Sequence, residues 1–125
     1  MRLLLDAHAL LWWLADDPSL GDAARTLIAD PENEVLVSAA TVWEIAIKRA
    51  LSKLEAPADL VAALAESGFV EAPVTAVDGE RAGDLDSHHR DPLDRMLVAQ
   101  AARLDATVIT RDPVFERYGT RTVPA

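Results

Sequence analysis

Asp6, Glu44, Asp94 and Asp112 lie far apart in the chain, yet each falls where a strand-like run hands over to a helix. Asp6 ends the apolar run Leu3-Leu4-Leu5, and Asp112 follows the strand-like Thr107-Val108-Ile109-Thr110. Glu44 interrupts the apolar stretch from Val42 to Ile47, and Asp94 falls in the first turn of a helix opening Asp91-Pro92-Leu93. In an open parallel α/β sheet such junctions gather at one edge, the carboxyl ends of the strands. Four carboxylates brought together there repel one another unless a divalent cation sits among them. Carboxylate oxygens with waters suit Mg²⁺ or Mn²⁺. Sites of this kind hydrolyse phosphate esters, polarising the phosphoryl oxygen and lowering the pKa of a bound water. The pattern reads first as a metal-dependent enzyme.

Each acid taken singly also has a structural explanation. Asp6 caps the helix after it, and Asp112-Pro113 repeats the cap-proline signature of Asp91-Pro92. Asp94 at the third helical position is favoured by the macrodipole. Thr41-Val42-Trp43-Glu44 fits a capping box. Glu44 resists this treatment, because Ala40, Trp43, Ile47 and Leu51 form one apolar stripe with Ile45 and Ala46 on the other flank. A carboxylate on a helix apolar nearly all round is costly to bury unless something binds it. Asp94 shares its side of the helix with Val98 and Ala101, so it too is expected to point inward.

The elements that must position these acids alternate. Residues 2–5 read as a strand buried on both faces, followed by a brief helix from His8 to Leu14. Pro18-Ser19 opens a second helix with Leu20, Ala23, Ala24, Leu27 and Ile28 on one face, ended by the turn Asp30-Pro31-Glu32-Asn33. Val35-Leu36-Val37 is a second strand, with Ser38 or Thr41 capping a helix to about Leu51. A fourth helix starts near Pro57 and stops at Gly68 in a left-handed conformation. Phe69 to Val74 is a third strand and 76–86 a weak helix carrying Gly79 and Gly83. The strongest helix signal has Asp91 as N-cap, Pro92 at N1, and Leu93, Met96, Leu97, Ala101 and Leu104 as its apolar face. A fourth strand at 107–110, a helical turn from Pro113 to Tyr118 and an edge strand from Arg121 to Val123 complete the chain. Strands alternating with helices predict a parallel sheet covered on both faces, as a single domain over residues 1–125.

Composition narrows the chemistry. With no cysteine, there is no disulfide framework, thiolate zinc site or cysteine nucleophile. Twelve basic residues against 21 acidic ones give a net charge of −9, which disfavours non-specific nucleic-acid binding and favours a basic partner. The run from Leu3 to Leu14 is broken by Asp6 and His8, and Ala15-Asp16-Asp17 is a poor cleavage site, so a cytoplasmic protein without a membrane span is expected.

With these residues in place, the chain resembles a PIN-domain ribonuclease, specifically a VapC-type toxin of a toxin–antitoxin pair. The resemblance rests on Leu4-Leu5-Asp6-Ala7-His8-Ala9-Leu10-Leu11-Trp12, on Ser38-Ala39 through Trp43-Glu44-Ile45-Ala46-Ile47-Lys48, on the run from His88 to Ala101, and on Thr110-Arg111-Asp112. It implies a three-layer α/β/α fold with sheet order 3-2-1-4-5 and an acidic metal site at the carboxyl edge. Asp6, Glu44, Asp94 and Asp112 match the family's four acids. Asp6 and Asp94 are then the leading ligands of Mg²⁺ or Mn²⁺, with Asp112 and Glu44 completing the site directly or through waters. Asp91 remains a helix cap that also stands beside the site. The implied reaction is endonucleolytic RNA cleavage by metal-activated water, leaving a 5′-phosphate without need of the 2′-hydroxyl. Arg90, Arg95, Arg111, Lys48, Arg49 and Lys53 are the residues that could hold the phosphate backbone, or else form a solvated surface. The implied partners are the RNA substrate, a basic or amphipathic VapB-type antitoxin and a second copy in a homodimer, with Trp12 or Trp13 in such an interface. His88 and His89 read as loop residues rather than ligands. Two departures stand out: Ala7 where the family usually has threonine, and Arg111 where many relatives have asparagine.

Rival readings lack residues. A receiver domain needs paired acids at the first strand end, a phosphorylatable aspartate after the third and a lysine after the last. Here Asp6 has no acidic neighbour, the third strand ends Pro73-Val74-Thr75, and the only lysines are Lys48 and Lys53. A haloacid-dehalogenase-like phosphatase wants Asp-x-Asp, and Asp6-Ala7-His8 lacks the second acid. A non-catalytic binding module does not need all four acids intact. A structure-specific DNA nuclease of the same fold shares the chemistry and stays open.

Overall fold

A computed structural model of the chain describes residues 1–86 and 91–125. The readings of His88 and His89 as loop residues and of Arg90 as a phosphate contact lie outside the described residues. The elements run β1 (Arg2–Leu5), α1 (Ala7–Leu14), α2 (Asp22–Ala29), β2 (Glu34–Ser38), α3 (Ala39–Ala50), α4 (Leu60–Glu66), β3 (Val70–Ala72), α5 (Ala76–Asp84), α6 (Pro92–Leu104), β4 (Thr107–Ile109), α7 (Val114–Arg117) and β5 (Thr122–Val123). All strand pairs are parallel, in the order β3-β2-β1-β4-β5. This is the order implied by the resemblance, in a three-layer α/β/α arrangement.

The central strand shows why two faces are covered. Successive strand residues point to opposite sides, so Leu3 and Leu5 enter one core with Leu10, Ala24, Ile28, Ile45, Leu60 and Leu64. Leu4 points the other way, against Leu36, Leu97, Val98, Val108 and Phe115. The first core is roofed by α1 to α4 and the second by α6 and α7. No helix among the described residues is long and apolar enough to cross a membrane.

Several boundaries differ from expectation for local reasons. Helix α2 begins at Asp22 with Gly21 as N-cap, not at Pro18, because Asp17 accepts from the Ser19 amide and turns the chain first. Leu20 is buried, but from that turn. Helix α4 begins at Leu60, capped by the Asp59 carboxylate on the Ala62 amide, three residues beyond Pro57. Gly68 does end it in the left-handed region, with φ +74°. Strand β3 shrinks to three residues as Pro73 removes a ladder donor.

Two readings of α3 are corrected. Its cap is Ser38, whose hydroxyl accepts from the Ala40 amide, and Thr41 is buried inside the helix, so Thr41 and Glu44 form no capping box. A capping box does occur in α5, between Thr75 and Asp78. The stripe Trp43, Ile47 and Leu51 faces outward, with Trp43 63 % exposed and Leu51 59 %. Thr41 and Ile45 take the core side instead, with Ile45 in one cluster with Val35 and Val37.

Candidate active site

The topology decides where the acids meet. Strand β1 connects onward to β2 on one side, while its other neighbour is the later β4, so the order reverses between β1 and β4. Ligand crevices form outside the carboxyl ends of strands at such a switch point. Asp6 leaves the end of β1 and Asp112 follows the end of β4. Glu44 comes over the edge on α3, and Asp94 from the first turn of α6. All four line one pocket of about 310 Å³, together with Ala7, His8, Trp12, Lys48, Asp91, Leu97 and Arg111. A larger hollow of about 530 Å³ borders the starts of β4 and β5, where Asp84 and Asp105 are balanced by Arg81 and Arg121. It lacks a comparable excess of acid.

Local bonds set each side chain. The Asp6 carboxylate accepts from the Ala9 amide at 2.9 Å, capping α1, while its own amide donates to Ile109 and extends the β1–β4 ladder. Burial pushes the Asp6 carboxyl above its ordinary range; hydrogen bonds from Thr110 and Ala9 and the charge of His8 oppose this, and the charge of Glu44 adds to it. Glu44 pairs with Lys48 one turn on, Nζ to Oε2 2.8 Å. Asp112 accepts from the Val114 amide and Asp91 from the Leu93 amide, both at helix starts. Capping and pocket lining are thus compatible: Asp6 and Asp91 do both, while Asp112 precedes Pro113, which is itself the N-cap of α7, so the expected cap-proline start is not met there.

Thr110 was not singled out by sequence reasoning. Its side chain is buried, hydrogen-bonds the Asp6 carboxylate, and accepts from the Asp112 amide at 3.0 Å. One hydroxyl therefore ties two of the acids. A threonine two residues before the last acid was the available signal.

The basic residues divide. Arg95 donates to the carbonyls of Ala82, Gly83, Leu85 and Asp86, and Arg49 to those of Pro57 and Ala58. Both hold loops together, so neither guanidinium is positioned as a phosphate contact. Arg111 stays at the pocket, 4.5 Å over the Trp12 ring and bonded to the carbonyls of Ala125 and Ser19. The two adjacent indoles separate: Trp12 lines the pocket, while Trp13 packs against Phe69 at 6.1 Å.

An all-oxygen donor set fits a hard cation such as Mg²⁺ or Mn²⁺ better than zinc. As the side chains stand, no three acidic or histidine groups among the described residues close on one point at ligating distance. Asp6, Glu44 and Asp112 each accept a hydrogen bond, from the Ala9 amide, the Lys48 ammonium and the Val114 amide respectively.

A family model described as PIN domain matches residues 3–120. No match to the chain is found among curated protein sequences. Solved structures with a similar fold include VapBC2 from Rickettsia felis bound to a DNA fragment from their promoter, with TM-score 0.72 and 16 % identity over 100 % of this chain and 99 % of that one. VapC20 from Mycobacterium tuberculosis, a Sarcin-Ricin loop cleaving toxin, matches with TM-score 0.69 and 20 % identity over 98 % and 99 % of the two chains. VapBC-1 from nontypeable Haemophilus influenzae gives 0.70 and 16 % over 99 % and 98 %. With the family model spanning nearly the whole chain, and the strand order in accord with it, the chain belongs to the PIN domain family.

Proposed function

We propose that the chain is a cytoplasmic, Mg²⁺- or Mn²⁺-dependent endoribonuclease and the toxin of a VapBC-type toxin–antitoxin pair. The observation that carries this reading is the gathering of Asp6, Glu44, Asp94 and Asp112, from four separate elements, in one pocket at the switch point of the sheet. Asp6 and Asp94 are the leading ligands; Glu44 and Asp112 complete the set directly or through water. The cation, when bound, supplies Lewis acidity toward a phosphodiester and acidifies a water for in-line attack. The chain's own residues do the rest. Thr110 orients Asp6 and Asp112, Trp12 walls the pocket, and Arg111 places positive charge at its rim, where an RNA phosphate can approach. The relatives named above, one of them a toxin that cleaves the Sarcin-Ricin loop, support the same activity here.

The antitoxin partner has a surface to meet. Trp43, Ile47 and Leu51 form an exposed apolar stripe on the helix that carries Glu44, and the net charge of −9 suits a basic, amphipathic peptide. Similar structures solved as VapBC pairs support such a partner. The chain is also proposed to form a homodimer, which light scattering of the purified protein reads directly.

The test is cleavage of total cellular RNA by the purified protein with Mg²⁺, with Mn²⁺ and with EDTA, beside Asp6→Asn and matched DNA. Discrete RNA fragments that vanish with EDTA and fall by more than roughly a hundredfold in the variant are expected. Intact RNA in both metals, with folding verified, overturns the reading, and cleavage confined to DNA moves it to a DNA nuclease.

A further inference from the structure

Lys48 is more than one half of a helical ion pair. An ordinary pair four residues apart leaves both groups in water and contributes little. Here the Glu44 side chain is 15 % exposed and opens on the pocket, while Lys48, at 41 %, reaches in from solvent. Lys48 lines that pocket with Asp6, Asp91, Asp94 and Asp112. The hydrogen bond from its ammonium to Glu44 favours the charged form, burial opposes it, and the charges of Glu44, Asp91 and Asp94 favour it again; the net direction is upward. Three carboxylates thus act on one ammonium. Arg111, the other described Lys or Arg lining the pocket, directs its Nε and one Nη2 donor to the Ala125 and Ser19 carbonyls.

We propose that Lys48 is a tethered counter-ion of the acid pocket, which a divalent cation must displace from Glu44, so that Lys48 sets the divalent concentration at which the site loads. The inference rests on the metal-dependent reading above. Without a bound ion, the ammonium offsets the mutual repulsion of the acids and holds Glu44 by its Oε2. A divalent cation needs that same carboxylate and is repelled by an ammonium a few ångströms away. The side chain has solvent on one flank and a flexible four-carbon stem, so it can turn outward as the ion enters. Removing the ammonium therefore acts oppositely on the two states: it weakens the metal-free protein and strengthens ion binding.

The experiment measures Mn²⁺ and Mg²⁺ binding without RNA, by calorimetry and by melting temperature across a metal series. It uses the wild type, Lys48→Met, Lys48→Gln, Glu44→Gln and the double variant of Lys48→Met with Glu44→Gln. Both Lys48 variants are expected to melt lower without metal and to bind Mn²⁺ roughly tenfold more tightly. That tightening is expected to shrink when Glu44 is already Gln, because the two residues act through one contact. Wild-type binding with unchanged or weaker affinity in both Lys48 variants overturns the counter-ion role alone. Undiminished tightening in the Glu44→Gln background overturns displacement from Glu44. A wild type that binds neither cation overturns the metal-dependent reading itself, and this inference with it.

Discussion

Thr110 shows how one hydroxyl can organise a charged site. It touches Asp6 by side chain and Asp112 by backbone, from a side chain that is itself buried. Thr110→Val keeps the shape and deletes the hydroxyl, leaving the Asp112 amide without its partner. The expected result is a 10- to 100-fold loss in metal affinity or RNA cleavage, with about 1–2 kcal/mol of stability lost. Denaturant unfolding and a Mn²⁺ titration of the same preparation read the two effects. Unchanged metal affinity would confine Thr110 to a structural part. Asp6 and Asp112 were legible as edge residues because both follow strand ends that a parallel sheet brings together, whereas Glu44 and Asp94 stood out as acids on largely apolar helices α3 and α6. Thr110 was not legible, since a buried threonine at a strand end is common and its hydrogen-bond partners lie more than a hundred residues apart in sequence.

At the scale of elements, α5 depends on a charge pair. Gly79 and Gly83 make it a poor helix by composition, yet it packs on α6 through Asp78 and Arg103. Asp78 is fully buried and accepts from Arg103 Nε at 2.7 Å, from Arg103 Nη2 at 3.0 Å and from the Thr75 amide at 3.0 Å. Burial pulls the Asp78 carboxyl upward, but the hydrogen bonds from Arg103 and Thr75 and the charge of Arg103 outweigh it, and the net direction is below the ordinary value of 3.8. A depressed acid stabilises the fold fully above its unfolded value and loses that contribution as pH falls through its folded one. Asp78→Asn is therefore expected to lose about 2–3 kcal/mol at pH 7, with the gap to wild type narrowing below about pH 4. Melting curves from pH 7 to pH 3 measure it; a constant gap across that range would separate the loss from ionisation. The expectation of a weak helix at 76–86 correctly read the glycines. It could not read the clamp, because Arg103 lies on a different helix.

For the molecule as a whole, the exposed stripe on α3 is the place where pattern and burial part company. Periodicity puts Trp43, Ile47 and Leu51 on one face and names that face apolar, which suggests a core. The sheet instead receives Thr41 and Ile45, and the larger groups are left outside. If this face takes the antitoxin, Trp43→Ala removes its largest anchor, for a loss of about 2 kcal/mol or roughly thirtyfold in affinity. RNA cleavage by the free protein should stay unchanged. Calorimetry with the antitoxin encoded alongside, and cleavage assays of the same variant, give the two readings; wild-type affinity would move the contact off α3.

The local grammar of the fold follows from the order of amino acids alone. The all-apolar β1, the Asp91-Pro92 start of α6, the left-handed stop at Gly68 and the alternation of strands and helices all arise from interactions between near neighbours, and they imply a doubly covered parallel sheet. Together with the positions of the acids, they imply where a site must be. Long-range packing settles which side of α3 meets the sheet, which arginines bond backbone carbonyls, and how Thr110 and Lys48 hold the acids. Those outcomes turn on space and partners contributed by distant segments, and a helix with two apolar sides cannot announce which of them the sheet has room to bury.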